Sequence, residues 1–219
     1  MKTFKSIFIF FISFYGFSQN GSVITWGPDY KGGNSSSVAS ELSSNVLKVY
    51  STNSLDSSFD AAFAALKTDG SVITWGDSTN GGDSSSVSSD LSSGVIEIFS
   101  TYGAFAALKN DGSVVTWGVG SGGGDTAEPY EMQLTSGWGG AFNAPLTSEV
   151  TKIFSTGSAF AALKSDGSVI TWGGRNTGGN SSSVASDISS GVSKIFSNSY
   201  AFAALKDNGS VITWGGSTT

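Results

Sequence analysis

The chain has no cysteine and no histidine, only three prolines, and charge on 13% of its 219 residues. Without cysteine there is no disulfide, no thiolate nucleophile and no sulfur ligand for a metal. Without histidine the commonest general base near neutral pH, and the commonest metal ligand, is missing. Basic residues are scarce as well. Eleven Lys and Arg stand against seventeen Asp and Glu, a net charge of −6. An acidic surface repels phosphate backbones and anionic headgroups, so nucleic acid and anionic membranes are disfavoured as partners. No cofactor, nucleotide or metal motif is present.

Long apolar runs are also lacking, apart from one at the N-terminus. Lys2 and Lys5 precede an apolar stretch over 7–17, and Ser18-Gln19 follow. This pattern predicts a secretory signal peptide over 1–19, because the run is short of the roughly 20 apolar residues that a membrane span needs. An uncleaved anchor is the alternative. The domain expected after cleavage, 20–219, carries nine basic and seventeen acidic side chains. It is expected to be soluble outside the membrane, either secreted or in the periplasm or at the cell surface.

Repetition, by contrast, is abundant. The stretch 104–118 returns almost letter for letter at 62–76, 159–173 and 201–215, and its second half stands alone at 21–27. Phe-Ala-Ala-Leu-Lys predicts one strand and Ser-Val-Ile/Val-Thr-Trp the next. Between them lie Asp69-Gly70, Asp111-Gly112, Asp166-Gly167 and Asn208-Gly209, dipeptides that supply the positive φ of a hairpin turn. A further strand is predicted upstream at 46–51, 95–100, 150–155 and 192–197. Before it runs a connector, Gly-Gly-Asn/Asp-Ser-Ser-Ser-Val, at 32–38, 81–87 and 178–184, with Asn34, Asp83 and Asn180 placed to cap one or two helical turns.

Measured from Trp26 through Trp75, Trp117 and Trp172 to Trp214, the steps are 49, 42, 55 and 42 residues. The unit is therefore 42 residues, with insertions of seven and thirteen, and a period of about 40–45 with several short strands is that of a propeller blade. The units are approximately 28–76, 77–118, 119–173 and 174–215. Both faces of each predicted sheet are apolar, so each sheet must be covered on both sides, as radially stacked blades are. The expected fold is all-β: a β-propeller-like array of four complete three-stranded blades plus one orphan N-terminal strand, forming an open arc or a small ring.

The pattern Ala-Leu-x-x-Asp-Gly-x-Val-x-x-Trp-Gly-x-x-x-x-Gly-Gly, at 107–124, resembles the repeat of the regulator of chromosome condensation family of β-propellers. In layout the chain is most similar to secreted bacterial members, such as the propeller-type β-lactamase inhibitor. The shared features are Ser-Gly-Val before the first strand, three-stranded blades and a lone N-terminal Trp-Gly strand. The resemblance implies a protein-binding platform and no bond-breaking chemistry. Two features depart from the family. Ala104, Ala159 and Ala201 stand where it has a histidine, and seven blades of 42 residues need more chain than is here. These departures and the leader point away from exchange-factor activity on a nuclear GTPase.

Several residue sets invite a functional reading. Asp69, Asp111 and Asp166 read as turn residues sooner than as a calcium or acid–base array, since Asn208 replaces one of them. The connector residues Asn34, Asp83, Asp125 and Asn180 read as capping or Asx-turn residues. The repeated tryptophans read as packing before a sugar-stacking ladder. A threonine array (Thr25, Thr74, Thr116, Thr171, Thr213) of the ice-binding kind would need strand spacing of about 4.8 Å between repeats. The insertion within 119–149 breaks the pattern: Tyr130, Met132, Trp138 and Phe142 obey no blade position and are the residue types of binding hot spots. They are the candidate partner-binding site, the alternative being a loop that caps a blade edge. The expected function is a non-catalytic scaffold that binds a protein or extracellular glycan, with self-association through open blade faces as a further partner class. A structural fragment of a larger repeat protein and a carboxylate-dependent glycoside hydrolase are the alternatives.

Overall fold

The computed structural model describes residues 21–52, 60–124, 146 and 148–216. The order of elements follows the repeat. Strands β1 (Val46–Ser51), β2 (Ala62–Lys67) and β3 (Val72–Gly76) form the first sheet; β4 (Val95–Ser100), β5 (Ala104–Lys109) and β6 (Val114–Gly118) form the second. The third holds β7 (Val150–Ser155), β8 (Ala159–Lys164) and β9 (Val169–Gly173), and the fourth β10 (Val192–Ser197), β11 (Ala201–Lys206) and β12 (Val211–Gly215). Each is an antiparallel meander in one register: Phe63 faces Trp75, Phe105 faces Trp117, Phe160 faces Trp172 and Phe202 faces Trp214. A bulge near the start of each first strand shifts its pairing by one residue. The all-β, four-bladed expectation is thus met, strand for strand to within a residue.

Period-two alternation explains how the blades stack. Ala62, Ala64 and Leu66 point forward from blade 1 and pack on Leu91, Val95, Ile98, Phe105, Ala107 and Trp117 of the second unit. The same joint recurs between blades 2 and 3, where Ala104, Ala106 and Leu108 meet Val150, Ile153, Phe160 and Trp172. It recurs again between blades 3 and 4. The alanines are fully buried at these joints and keep the sheets close. No core cluster joins blade 4 to blade 1 among the described residues, so the blades form an arc in chain order.

Each joint is locked by one tryptophan. The indole Nε1–H of Trp75, Trp117, Trp172 and Trp214 donates to the carbonyl of Gly32, Gly81, Gly123 and Gly178 at 3.0, 3.0, 3.2 and 3.0 Å. The ring stacks on the facing phenylalanine at a centroid distance of 5.2–5.4 Å. Only glycine fits at the connector position. Gly81 has φ +102°, and a Cβ there would lie 2.7 Å from the Phe105 ring. These tryptophans are 1–5% exposed, which rules them out as a sugar-stacking ladder.

Residues 21–27, expected as a lone strand without a partner, make a single bridge, Gly21 to Val46, and form no ladder among the described residues. The reason is that no Phe-Ala-Ala-Leu strand lies beside them, and Trp26 is 56% exposed for the same reason. Trp117→Phe keeps the stacked ring but leaves the Gly81 carbonyl buried without its donor, and is expected to cost about 1–3 kcal/mol. Trp26→Phe is expected to stay within about 0.5 kcal/mol of the parent. Urea midpoints of the two variants check this contrast.

Candidate functional site

The hairpin aspartates are built by turn chemistry. Asp69 Oδ1 accepts from the backbone N–H of Ser71 at 2.9 Å and from its hydroxyl at 2.7 Å. Asp111 with Ser113 and Asp166 with Ser168 repeat this geometry. Asn208 does the same with Ser210, at 3.0 and 2.7 Å, so a carboxylate is not required at the position. The serine hydroxyl, then the serine N–H, hold the three carboxyls below the ordinary aspartate range. A general acid needs the opposite shift.

The connectors follow the same logic with one difference from the sequence reading. Asn34, Asp83 and Asn180 accept from the N–H of Ser36, Ser85 and Ser182, two residues on, at 3.0, 2.8 and 3.0 Å. They form Asx turns one residue before the N-cap of a single 3₁₀ turn, since serine-rich sequence does not sustain an α-helix. Asp125 lies outside the described residues. Thr25, Thr74 and Thr171 bond the connector serines Ser35, Ser84 and Ser181 at 2.8–2.9 Å, so they serve the blade and its connector, not a threonine array.

Two kinds of contact had no signal in the sequence. The lysine ending the second strand reaches back to the connector: Lys109 Nζ donates to Asp90 O at 2.7 Å, Lys67 to Glu41 O and Ser44 O, and Lys206 to Asp187 O. In the third unit Lys164 instead pairs with Glu149 at 2.9 Å. On the opposite rim, buried Thr101 and Thr156 donate to Gly122 O and Thr177 O at 2.8 and 2.9 Å. These bonds tie the strand 1–2 loops of blades 2 and 3 to the connector that leaves the same rim.

The shorter insertion lies in the strand 1–2 loop of blade 1, and the longer one in the connector between blades 2 and 3. In blade 1 the neck is closed by Thr52 N–H donating to Ala62 O at 3.0 Å, the bond that Thr101 makes to Ala104 and Thr156 to Ala159. The longer insertion lies between Gly124 and Leu146, and both ends sit in standard repeat positions. Gly124 N–H donates to Val119 O, as Gly179 does to Gly174 O. The Leu146 carbonyl accepts from Val114 N–H at 2.8 Å, as Leu91 and Ile188 do for Val72 and Val169. Tyr130, Met132, Trp138 and Phe142 lie outside the described residues, as do 53–59 of the shorter insertion and the 1–19 leader.

No protein-family model matches the chain, and no curated protein matches it by sequence. Similar solved structures include the CRINKLY WD40 ectodomain of the Arabidopsis thaliana receptor kinase ACR4, at 18% identity over 70% of this chain and 47% of that one, with a TM-score of 0.42. Prp20p of Saccharomyces cerevisiae is similar at 17% identity over 70% of this chain and 41% of that one, TM-score 0.45. Human WBSCR16 is similar at 21% over 78% and 47%, TM-score 0.40. The matched region is less than half of each of these proteins. The fold assignment rests on the chain's own four sheets: this is an all-β repeat protein of stacked three-stranded blades. Among the described residues no helix is long and apolar enough to cross a membrane, and no group of three or more acidic side chains is placed to hold a metal ion.

Because Asp69, Asp111 and Asp166 have folded-state pKa values below their unfolded ones, they add stability above about pH 4. That stability is lost as pH falls through the lowered values. A triple Asp→Asn variant, which gives all four hairpins the amide that Asn208 already carries, is expected to unfold in urea with a flatter acid-side dependence than the parent. An identical acid limb in parent and variant would show that the serine bonds do not act on stability.

Proposed function

We propose that the chain is an exported, non-catalytic repeat scaffold that binds a protein or surface glycan through its connectors and the 119–149 insertion. The observation that supports it best is the closure of the fold beneath that insertion. Leu146 is buried and resumes the repeat at the same hydrogen-bond position as Leu91 and Ile188. The unit thus carries thirteen residues more than the basic repeat between two standard repeat positions. Long connections without a packing role are commonly functional. Tyr130, Met132, Trp138 and Phe142 supply the aromatic and thioether groups that dominate binding energy at interfaces. Secretion is proposed on the leader, and kinship with secreted members of the regulator of chromosome condensation family on the quoted repeat.

The aspartates do not favour the hydrolase reading. Those with displaced pKa values are stabilised as carboxylates by neighbouring serines. A Tyr130→Ala/Trp138→Ala variant is expected to keep the parent's unfolding free energy, read from urea denaturation, within about 0.5 kcal/mol. It is also expected to lose at least tenfold in recovery of partners from the periplasm or medium. Equal recovery by parent and variant would reject the insertion as the site.

A further inference from the structure

The joint between units is marked by two backbone hydrogen bonds. At the three blade–blade joints the N–H of Val95, Val150 and Val192 donates to Gly70 O, Gly112 O and Gly167 O at 3.0, 3.0 and 2.9 Å. In return Val72, Val114 and Val169 donate to Leu91, Leu146 and Ile188. The same pair occurs a fourth time, before blade 1. Val46 N–H donates to Gly21 O, and Val23 N–H donates to Leu42 O, both at 2.9 Å. Residues 21–27 therefore stand where the third strand of a preceding blade would stand, with no blade attached. Beyond these two bonds the segment has no β pairing among the described residues, Ile24 is 80% exposed and Trp26 is 56% exposed.

Blade 4 has the converse defect. Val211 N–H and Gly209 O make neither joint bond among the described residues. A Cβ at Gly209 would meet nothing within 4 Å, whereas at Gly70, Gly112 and Gly167 it would meet the next unit's backbone at 2.7–2.9 Å. Val211, Tyr200 and Phe196 are 57–61% exposed. Ala201, Ala203 and Leu205 are half-buried, although their counterparts on blades 1 and 2 are buried. The open face is thus continuous in kind with an interface that the chain forms three times.

The two defects match in sequence. Gly-Ser-Val-Ile-Thr-Trp-Gly at 21–27 is identical to 209–215, as also to 70–76 and 167–173, but the preceding residue, Asn20, matches Asn208 alone, since the other three hairpins have aspartate there. We propose that the occupant of the open face is a second copy of this chain, joined by strand exchange. Residues 21–27 of one copy replace β12 on β11 of another, and blade 1 of the donor then stacks on blade 4 of the acceptor as the next layer. The register follows from that of β12: Trp26 takes the place of Trp214 opposite Phe202, Thr25 that of Thr213 opposite Ala203, and Val23 that of Val211 opposite Leu205. Identical residues replace one another, so the ladder is conserved. The gain is a fourth buried joint. Blade 4 and blade 1 of one copy share no core cluster among the described residues, so the interface is head-to-tail and extends to further copies instead of closing within one chain.

The chain contains no cysteine, which makes the exchange readable by disulfide trapping. A Thr25→Cys/Ala203→Cys variant of the full chain places its two thiols opposite one another only if the exchange occurs. On mild oxidation a non-reducing gel is expected to show a ladder at multiples of the chain mass. A cross-link within single chains, or no cross-link in a variant that keeps the parent's circular dichroism, would overturn the proposal. Light scattering gives an independent reading. The parent's mean mass is expected to rise at least twofold across a hundredfold concentration range. Ala203→Arg, which puts a charge on the open face, is expected to remain monomeric. A parent that is monomeric throughout would overturn the proposal as well.

Discussion

The structure depends on a three-part contact: a tryptophan ring flat against the phenylalanine of its own hairpin, with its N–H on the carbonyl of a connector glycine. The indole belongs to one unit and the glycine to the connector that leads into it, so a single side chain fixes both the hairpin and its entry path. Replacing the glycine would push a Cβ into the phenylalanine, and replacing the tryptophan would strand a buried carbonyl. The short alanine strands follow from the same contact. Once a large ring fills one side of the joint, only small residues on the facing sheet let the blades approach to close packing.

A stack built from one joint behaves as a linear array, in which each unit is stabilised by its neighbours. Its interior is uniform, and its ends carry whatever the joint leaves unsatisfied. Among the described residues, those ends are the lone 21–27 segment and the forward face of blade 4. Extra chain is tolerated where the repeat's own bonds are kept on either side of it, as Thr52 keeps its bond to Ala62, Gly124 its bond to Val119 and Leu146 its bond to Val114. The two insertions fall in the strand 1–2 loop of blade 1 and in the connector between blades 2 and 3. That is the physical basis for reading the insertions as functional additions.

The hairpins were legible in the sequence because their determinants are local: a turn dipeptide, an apolar pair of strands, a tryptophan at fixed spacing. The Asx turns at Asn34, Asp83 and Asn180 were legible for the same reason. The lysine bonds to connector carbonyls and the threonine bonds across the rim were not, because each partner lies about 19–26 residues away and is a main-chain oxygen that every residue has. The 21–27 segment was visible as a repeat, but its role was not. Only the geometry shows that it reproduces a joint without a blade. The candidate binding residues 130, 132, 138 and 142 were singled out because they break the pattern, a signal of departure that carries no information about their arrangement.

Native-state amide exchange tests the claim that one repeated joint holds the fold together. The account predicts the slowest exchange at Val114 and Val169, whose N–H groups cross the joints on either side of blade 3. Val211 on the open face is predicted to exchange at least a hundredfold faster than either. Protection that is equal across all four blades, or highest in blade 4, would contradict it.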